Sequence, residues 1–155
     1  MTSDRYILVI ADESKEMEVA LRYACARSKK TNRKIIIAAF IEPIDVLTTQ
    51  GVSEIMQNEA REEAESKLKK ASDIVKEHTG FMPILHIKEG GLIKELINLI
   101  EEEQNINVLV LAASVDEKGP GPIINSLISK EYSRLRIPVM IVPGNFSQDH
   151  ISQIT

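Results

Sequence analysis

The sequence predicts an α/β protein, a three-layer α/β/α sandwich built around a five-stranded parallel sheet. Five short runs of Ile, Val, Leu and Ala are apolar throughout, which is typical of parallel strands that are buried on both faces. The segments between them carry apolar residues three and four apart, as expected for amphipathic helices that cover such a sheet. The order of the strands does not follow from this pattern.

The first two strands are expected at Tyr6–Ile10 and Ile35–Ile41, because both runs are apolar and rich in β-branched residues. Between them, a helix should begin after Ser14, a suitable N-cap, and end near Lys29 among basic residues that favour the end of the helix dipole. A polar connection, Asp45–Gly51, follows the second strand and is expected to be mobile.

The longest helix is predicted over Ser53–His78, and its inner face is expected to hold Ile55, Met56, Ala60, Ala64, Leu68, Ala71 and Val75. Its charged face is typical of a surface in contact with solvent. The remaining elements are expected at Pro83–Ile87 (strand), Leu92–Ile100 (helix), Val108–Leu111 (strand), Ile123–Leu135 (helix) and Pro138–Val142 (strand).

Length and composition describe one globular domain. A chain of 155 residues is long enough to bury its own core without metals or disulfides. We expect the domain to span residues 1–144, followed by a polar, disordered tail over residues 145–155. Aromatic residues make up only 4% of the chain, so the core must consist mainly of aliphatic side chains.

Charge and cysteine content narrow the range of partners and compartments. A net charge of −4 without a basic cluster argues against nucleic acid as a partner. No apolar run approaches the roughly 18 to 20 residues that span a bilayer, and the N-terminus lacks the features of a signal peptide. Cys25 is the single cysteine, and its helical surroundings predict a buried structural thiol rather than a reactive one. We therefore expect a cytoplasmic protein that binds neither nucleic acid nor membrane.

The residue patterns of common catalytic and metal sites are missing from the sequence. No Gly-x-Gly-x-x-Gly follows the first strand, and the run Gly119–Pro122 lacks the Lys and Ser or Thr of a P-loop. His78, His86 and His150 are too far apart in sequence for metal-ligand spacing. Ser126 has no nearby His or Asp that would indicate a catalytic triad. The sequence therefore predicts neither a metal site nor an enzyme.

The stretch from Asn107 to Ser126 is where a ligand is expected in such a fold. An apolar strand is followed there by a polar loop, and a helix begins near Pro122. Backbone amides at a helix start can hold an anion, and the carboxyl ends of parallel strands open into a crevice. Two features oppose phosphate binding. Pro120 and Pro122 have no amide hydrogen, and the carboxylates of Asp116 and Glu117 repel phosphate.

Several segments between Tyr6 and Val142 resemble the universal stress protein family. The first two strands of that family, with their polar turns, are similar to YILVIADES and IIIAAFIEP. Its third strand and glycine turn resemble HIKEGGLIKEL, and its closing helix and last strand resemble NSLISKEYSRLRIPVMIVPG. The resemblance implies the adenine nucleotide α-hydrolase-like (UspA) fold.

In ATP-binding members of the family, the fourth strand leads into Gly, two residues, Gly, nine residues, and then Gly followed by Ser or Thr. The spacing is kept here, but the glycine positions hold Ala112, Val115 and Asn125, and only Ser126 matches. Glycine lets the backbone close on phosphates without a Cβ, and Val in particular tolerates positive φ badly. The resemblance therefore implies a nucleotide site with a degenerate phosphate motif.

Three further positions correspond to ligand residues of the family. Asp12 matches an acid near the adenine and ribose, although it could instead cap the first helix. Phe40 falls where a Val usually contacts the base through its backbone, so its ring could stack on the base or, as we favour, fill the pocket. Gly90 keeps the turn that borders the same crevice.

These observations lead to two principal hypotheses. The first is a non-enzymatic dimeric module for stress response or signalling that has a decayed nucleotide site, no cofactor and an unknown protein partner. The alternative is a universal stress protein that binds ATP or another adenine nucleotide through a non-standard phosphate loop. A weak ATPase would need phosphate contacts that this loop lacks. Family members commonly pair their last strands across a two-fold axis, which implies a homodimer through the apolar edge strand Pro138–Val142.

Overall fold

A computed structural model describes residues 4–12, 14–43 and 50–155 of the chain. Its secondary structure is, in chain order, β1 (Tyr6–Ile10), α1 (Glu16–Thr31), β2 (Lys34–Ile41), α2 (Gln50–Thr79), β3 (Ile84–Glu89), α3 (Leu92–Glu102), β4 (Ile106–Ala113), α4 (Pro122–Ser126), β5 (Val139–Pro143) and α5 (Gln148–Ile154). After α4 the backbone continues as a π-helical turn over Leu127–Glu131 and a 3-10 turn over Tyr132–Arg134.

The five strands form one parallel sheet in the order β3-β2-β1-β4-β5. Because side chains alternate along a strand, β1 sends Ile7 and Val9 into one core and Leu8 and Ile10 into another. The first core lies under α1, α2 and α5, and the second lies under α3 and α4. The predicted three-layer α/β/α architecture is confirmed.

Helix α2 begins three residues before the predicted start at Ser53, and only part of its apolar stripe is buried. Ile55 and Met56, expected on the inner face, are 59% and 43% exposed, whereas the stripe residues from Ala64 to Val75 are buried. The physical reason is length, since 30 residues of helix span about 45 Å and strands of six to eight residues span about 20–26 Å. The predicted mobile connection falls mostly on residues 44–49, which lie outside the described residues.

The helix expected over Ile123–Leu135 is correctly placed, but it is not one continuous α-helix. Its α-helical part is only Pro122–Ser126, and π and 3-10 geometry follow. The strand expected at Pro83–Ile87 runs two residues further, to Glu89. Apolar periodicity reports which face of a helix is buried, but it does not distinguish these helix types or set exact ends.

The expectation of a disordered tail after residue 144 is wrong, because the tail folds back as α5. Ser147 begins this helix as its N-cap, and its Oγ accepts a hydrogen bond of 3.1 Å from the amide of His150. Ile151 is fully buried against the core under α1. One well-placed apolar residue in a polar segment anchors the helix, and such a contact leaves no periodic pattern in the sequence.

Candidate functional site

A crevice of about 710 Å³ lies at the carboxyl ends of β1 and β4. The chain proceeds from β1 towards β2 on one side of the sheet and from β4 towards β5 on the other, so the crevice occupies the topological switch point. Its volume falls within the range of about 300–1,000 Å³ that is typical of small-molecule sites. Helix α1, the loop over residues 114–121 and the start of α4 form its walls. The crevice therefore lies where the sequence predicted a ligand.

Asp12 lies in the crevice wall directly after β1, and its carboxylate shapes the turn into α1. The Oδ1 atom accepts hydrogen bonds from the backbone amide of Ser14 at 2.9 Å and from its hydroxyl at 2.6 Å. Helix α1 begins at Glu16 with Lys15 at the N-cap and no side-chain capping bond, so the expectation that Ser14 caps the helix is wrong. Asp12 satisfies Ser14 locally in an Asx turn instead. No hydrogen bond from a described residue reaches its second oxygen, Oδ2.

The loop after β4 is closed by its own hydrogen bonds. The amide of Ser114 donates to the carbonyl of Pro120 at 3.1 Å, and the amide of Lys118 donates to Oδ1 of Asp116 at 2.8 Å. Gly119 and Gly121 adopt positive φ values of 98° and 115°, which glycine reaches without a Cβ clash. Asp116 therefore holds the loop together as well as bringing a negative charge to the crevice.

The three degenerate motif positions do not use the backbone conformation that glycine permits. Asn32 is the one non-glycine residue with positive φ in the described part of the chain, so Ala112, Val115 and Asn125 all have negative φ. The residues of this loop that adopt positive φ are Gly119 and Gly121, which the motif spacing did not indicate. In the sequence, the Gly-Pro-Gly-Pro run over residues 119–122 was the available signal for this turn. Its conformation depends on how the whole loop closes, which the sequence alone does not give.

The predicted site residues divide into two groups. Asp12, Ala112 and Asn125 line the crevice together. The others are not part of its lining: Val115 is 59% exposed, Ser126 lies within α4, and Phe40 and Gly90 lie at the ends of β2 and β3.

Phe40 and Gly90 have structural roles at the same end of the sheet. Phe40 is half-buried and packs on the core under α3, which supports pocket filling over stacking on a base. Gly90 donates its amide to the carbonyl of Ile41 at 2.9 Å with a φ of 136°. A Cβ at this position would also lie 2.8 Å from Cγ of Glu95. Gly90 is therefore required by the turn after β3.

The charges that line the crevice are mainly negative. Among the described residues of the lining, Asp12, Glu16 and Asp116 contribute carboxylates, and Lys118 is the one basic residue. Pro120 and Pro122 also line the crevice, and neither has an amide hydrogen to donate. A ligand with several negative charges would meet net repulsion here, whereas a neutral or singly charged ligand would not.

A second concavity of about 430 Å³ lies beside β5, the edge strand of the sheet. Its lining is entirely apolar or aromatic and includes Ile128, Tyr132 and Ile141, which are 54%, 66% and 40% exposed. The predicted edge position of the last strand is confirmed. Strand β5 pairs with β4 on one side only, so these exposed apolar side chains lie beside the outer edge of the sheet.

The remaining candidates for a reactive site are the single cysteine and possible metal ligands among the described residues. Cys25 is 1% exposed, and burial raises the pKa of its thiol to about 12 despite the opposing charge of Lys29, so the thiol is structural as predicted. No group of His, Cys, Asp or Glu that could hold a metal occurs within residues 4–12, 14–43 and 50–155. No described helix is long and apolar enough to cross a membrane.

The sequence profile of the universal stress protein family matches residues 5–143, which include the whole sheet and every described helix except α5. The chain belongs to this family. No curated protein sequence matches it at a significant level. The resemblance noted from individual segments is thus confirmed over residues 5–143.

Solved structures of universal stress proteins share this fold at low sequence identity. UspA from Lactobacillus plantarum superimposes with a TM-score of 0.74 at 13% identity, covering 91% of this chain and 99% of that one. A universal stress protein in complex with cAMP gives a TM-score of 0.66 at 18% identity, covering 93% and 100%. A universal stress protein from Archaeoglobus fulgidus in complex with dAMP gives 0.61 at 14% identity, covering 92% and 99%. At these identities the likeness establishes the fold alone.

Proposed function

We propose that this universal stress protein is a non-enzymatic stress-response or signalling module whose inherited nucleotide site no longer binds a triphosphate. The observation that supports this most strongly is the lining of the crevice, which includes three carboxylates, one lysine and two prolines that have no amide hydrogen to donate. The tight turn at Gly119 and Gly121 belongs to a loop closed on itself through Asp116. The protein acts through a protein partner in the cytoplasm.

Titration calorimetry tests the loss of the triphosphate site. We expect an ATP Kd weaker than about 1 mM, because ATP brings several negative charges to a negatively charged crevice. A micromolar Kd would overturn the proposal. Incubation with Mg-ATP should release no phosphate above the buffer control, in keeping with a protein that is not an enzyme.

Two variants test whether negative charge or backbone conformation weakens the binding of ATP. Glu16→Gln with Asp116→Asn removes two negative charges, while the side-chain oxygen of the introduced asparagine can still accept the amide of Lys118. We expect this double variant to bind ATP at least about tenfold more tightly, which corresponds to about 1.4 kcal/mol. Glycine at positions 112, 115 and 125 should not tighten ATP binding in this way. The native residues at these positions have negative φ, so the backbone there does not need the conformational freedom of glycine. The opposite ranking would show that the missing glycines were the limiting defect.

A second candidate is binding of an adenine nucleotide with fewer phosphates, and the size of the crevice favours it. About 710 Å³ is ample for a small ligand, and Asp12 retains one oxygen for a ribose hydroxyl. Two proteins with this fold are described in complex with cAMP and dAMP, each of which carries a single phosphate. Mass spectrometry of ligand released from the native protein distinguishes the candidates. Co-purified adenine monophosphate, with micromolar affinity on titration, would favour the second.

We further propose a homodimer formed through β5. The two edges of the sheet offer a matched pair of variants, because Ile141 in β5 and Ile84 in β3 are each 40% exposed. Light scattering at tens of micromolar should give the mass of a dimer for the wild type and for Ile84→Lys, and of a monomer for Ile141→Lys. A monomeric wild type would refute the dimer, and a dimeric Ile141→Lys would place the interface elsewhere.

A further inference from the structure

Three arginines converge at the amino end of the sheet, opposite to the crevice. Arg5 directly precedes β1 and Arg33 directly precedes β2, and the register of the two strands places them side by side. Neighbouring strands lie about 4.8 Å apart, so the two side chains are close. Odd-numbered residues of both strands face α1, and Arg27 of that helix is close enough to interact electrostatically with Arg33. We call Arg5, Arg27 and Arg33 the arginine cluster.

The arginine cluster has no carboxylate partner among the described residues. Arg33 donates from Nη1 to Oδ1 of Asn107 at 2.9 Å and from Nε to Oγ1 of Thr31 at 2.8 Å, and both acceptors are neutral. The Nε atom of Arg27 is buried without a hydrogen-bond partner in the described structure. Asp4 directly precedes Arg5 in the sequence, but its carboxylate is paired with the ammonium group of Lys34 at 3.2 Å.

The three guanidinium groups of the cluster carry like charges and repel one another, which affects the pKa of Arg33. Burial and the charges of Arg27 and Arg5 together lower the pKa of Arg33. Like charges directly opposite each other on neighbouring strands destabilise a sheet. A bound anion would offset this repulsion.

We propose that the arginine cluster binds a phosphate-type oxyanion. Guanidinium groups donate in a planar fork that matches the oxygens of phosphate, and a bound dianion would offset the repulsion among the three arginines. Because the site lies at the amino end of the strands, it is independent of the crevice and of whether that crevice binds a nucleotide.

Thermal melts with inorganic phosphate as the probe test this proposal. At matched ionic strength, phosphate should raise the Tm of the wild type above its value in chloride, because a ligand that binds only the folded state stabilises it. Arg27→Met keeps the aliphatic stem but removes the guanidinium, and should weaken phosphate binding at least about tenfold by calorimetry. Arg22→Met on the same helix is the control, since Arg22 is paired with Glu18 at 3.0 Å, and should retain the full response.

A second variant separates ligand binding from a purely structural role. Arg5 is exposed, so Arg5→Gln should leave the packing intact. Without phosphate at low ionic strength, this variant should be at least as stable as the wild type, because it removes one repelling charge, and its phosphate response should be reduced. Equal melting temperatures of the wild type in phosphate and chloride would overturn the proposal. So would an unchanged phosphate response in both Arg27→Met and Arg5→Gln.

Discussion

Replacement of Ile151 by alanine should destabilise the whole domain through the short helix α5. Ile151 is fully buried and packs with α1. The substitution removes three carbon groups, worth about 2.4 kcal/mol at about 0.8 kcal/mol each. A residual cavity would add to this loss, but a seven-residue helix at the margin of the core can shift to refill part of the space. We therefore expect a loss of about 2–3 kcal/mol in the free energy of unfolding.

Urea denaturation measures this loss, and Ile154→Ala is the matched control because Ile154 lies in the same helix but is 47% exposed. The control should change the free energy of unfolding by less than about 0.5 kcal/mol. In a thermal melt, Ile151→Ala should lower the Tm by about 4–12 °C for a chain of this size. Equal effects of the two substitutions would refute the docking of α5 on α1.

Three further predictions concern the fold. Gly144→Ala should lower the Tm in a thermal melt, because its Cβ would lie 2.5 Å from the carbonyl oxygen of Ala113, whereas Gly91→Ala, with open space around its Cβ, should not. Arg136→Met should cost about 1.5–3 kcal/mol in urea denaturation by removing hydrogen bonds from Nη2 to the carbonyls of Ile100 (2.6 Å), Glu103 (3.2 Å) and Ile106 (3.2 Å), with the exposed Arg134→Met close to neutral. Cys25 should react with a thiol reagent only as fast as the protein unfolds. Because its pKa rises from 9.0 to about 12 on folding, its contribution to stability is present below pH 9 and is lost as the pH rises towards 12, so Cys25→Ala should show a shallower decline over that interval.

The sequence predicted the sheet and its helices well because their burial is uniform along each element. Ile35–Ile41 is apolar at every position, and such a run has no stable place except between two layers of helices. It also indicated the location of the ligand crevice, since the carboxyl ends of parallel strands meet at one edge. It failed for α5, where a single residue, Ile151, provides the anchor.

What the sequence determined by itself was therefore the class of fold, the family and the absence of the family's glycines at positions 112, 115 and 125. Tertiary structure alone decided how the loop closes, with its turn at Gly119 and Gly121, and which charges face the crevice. It alone brought Arg5, Arg27 and Arg33 together from three separate segments. The physical reason is that burial periodicity is a local property of the chain, whereas loop closure and charge clusters depend on contacts between distant residues.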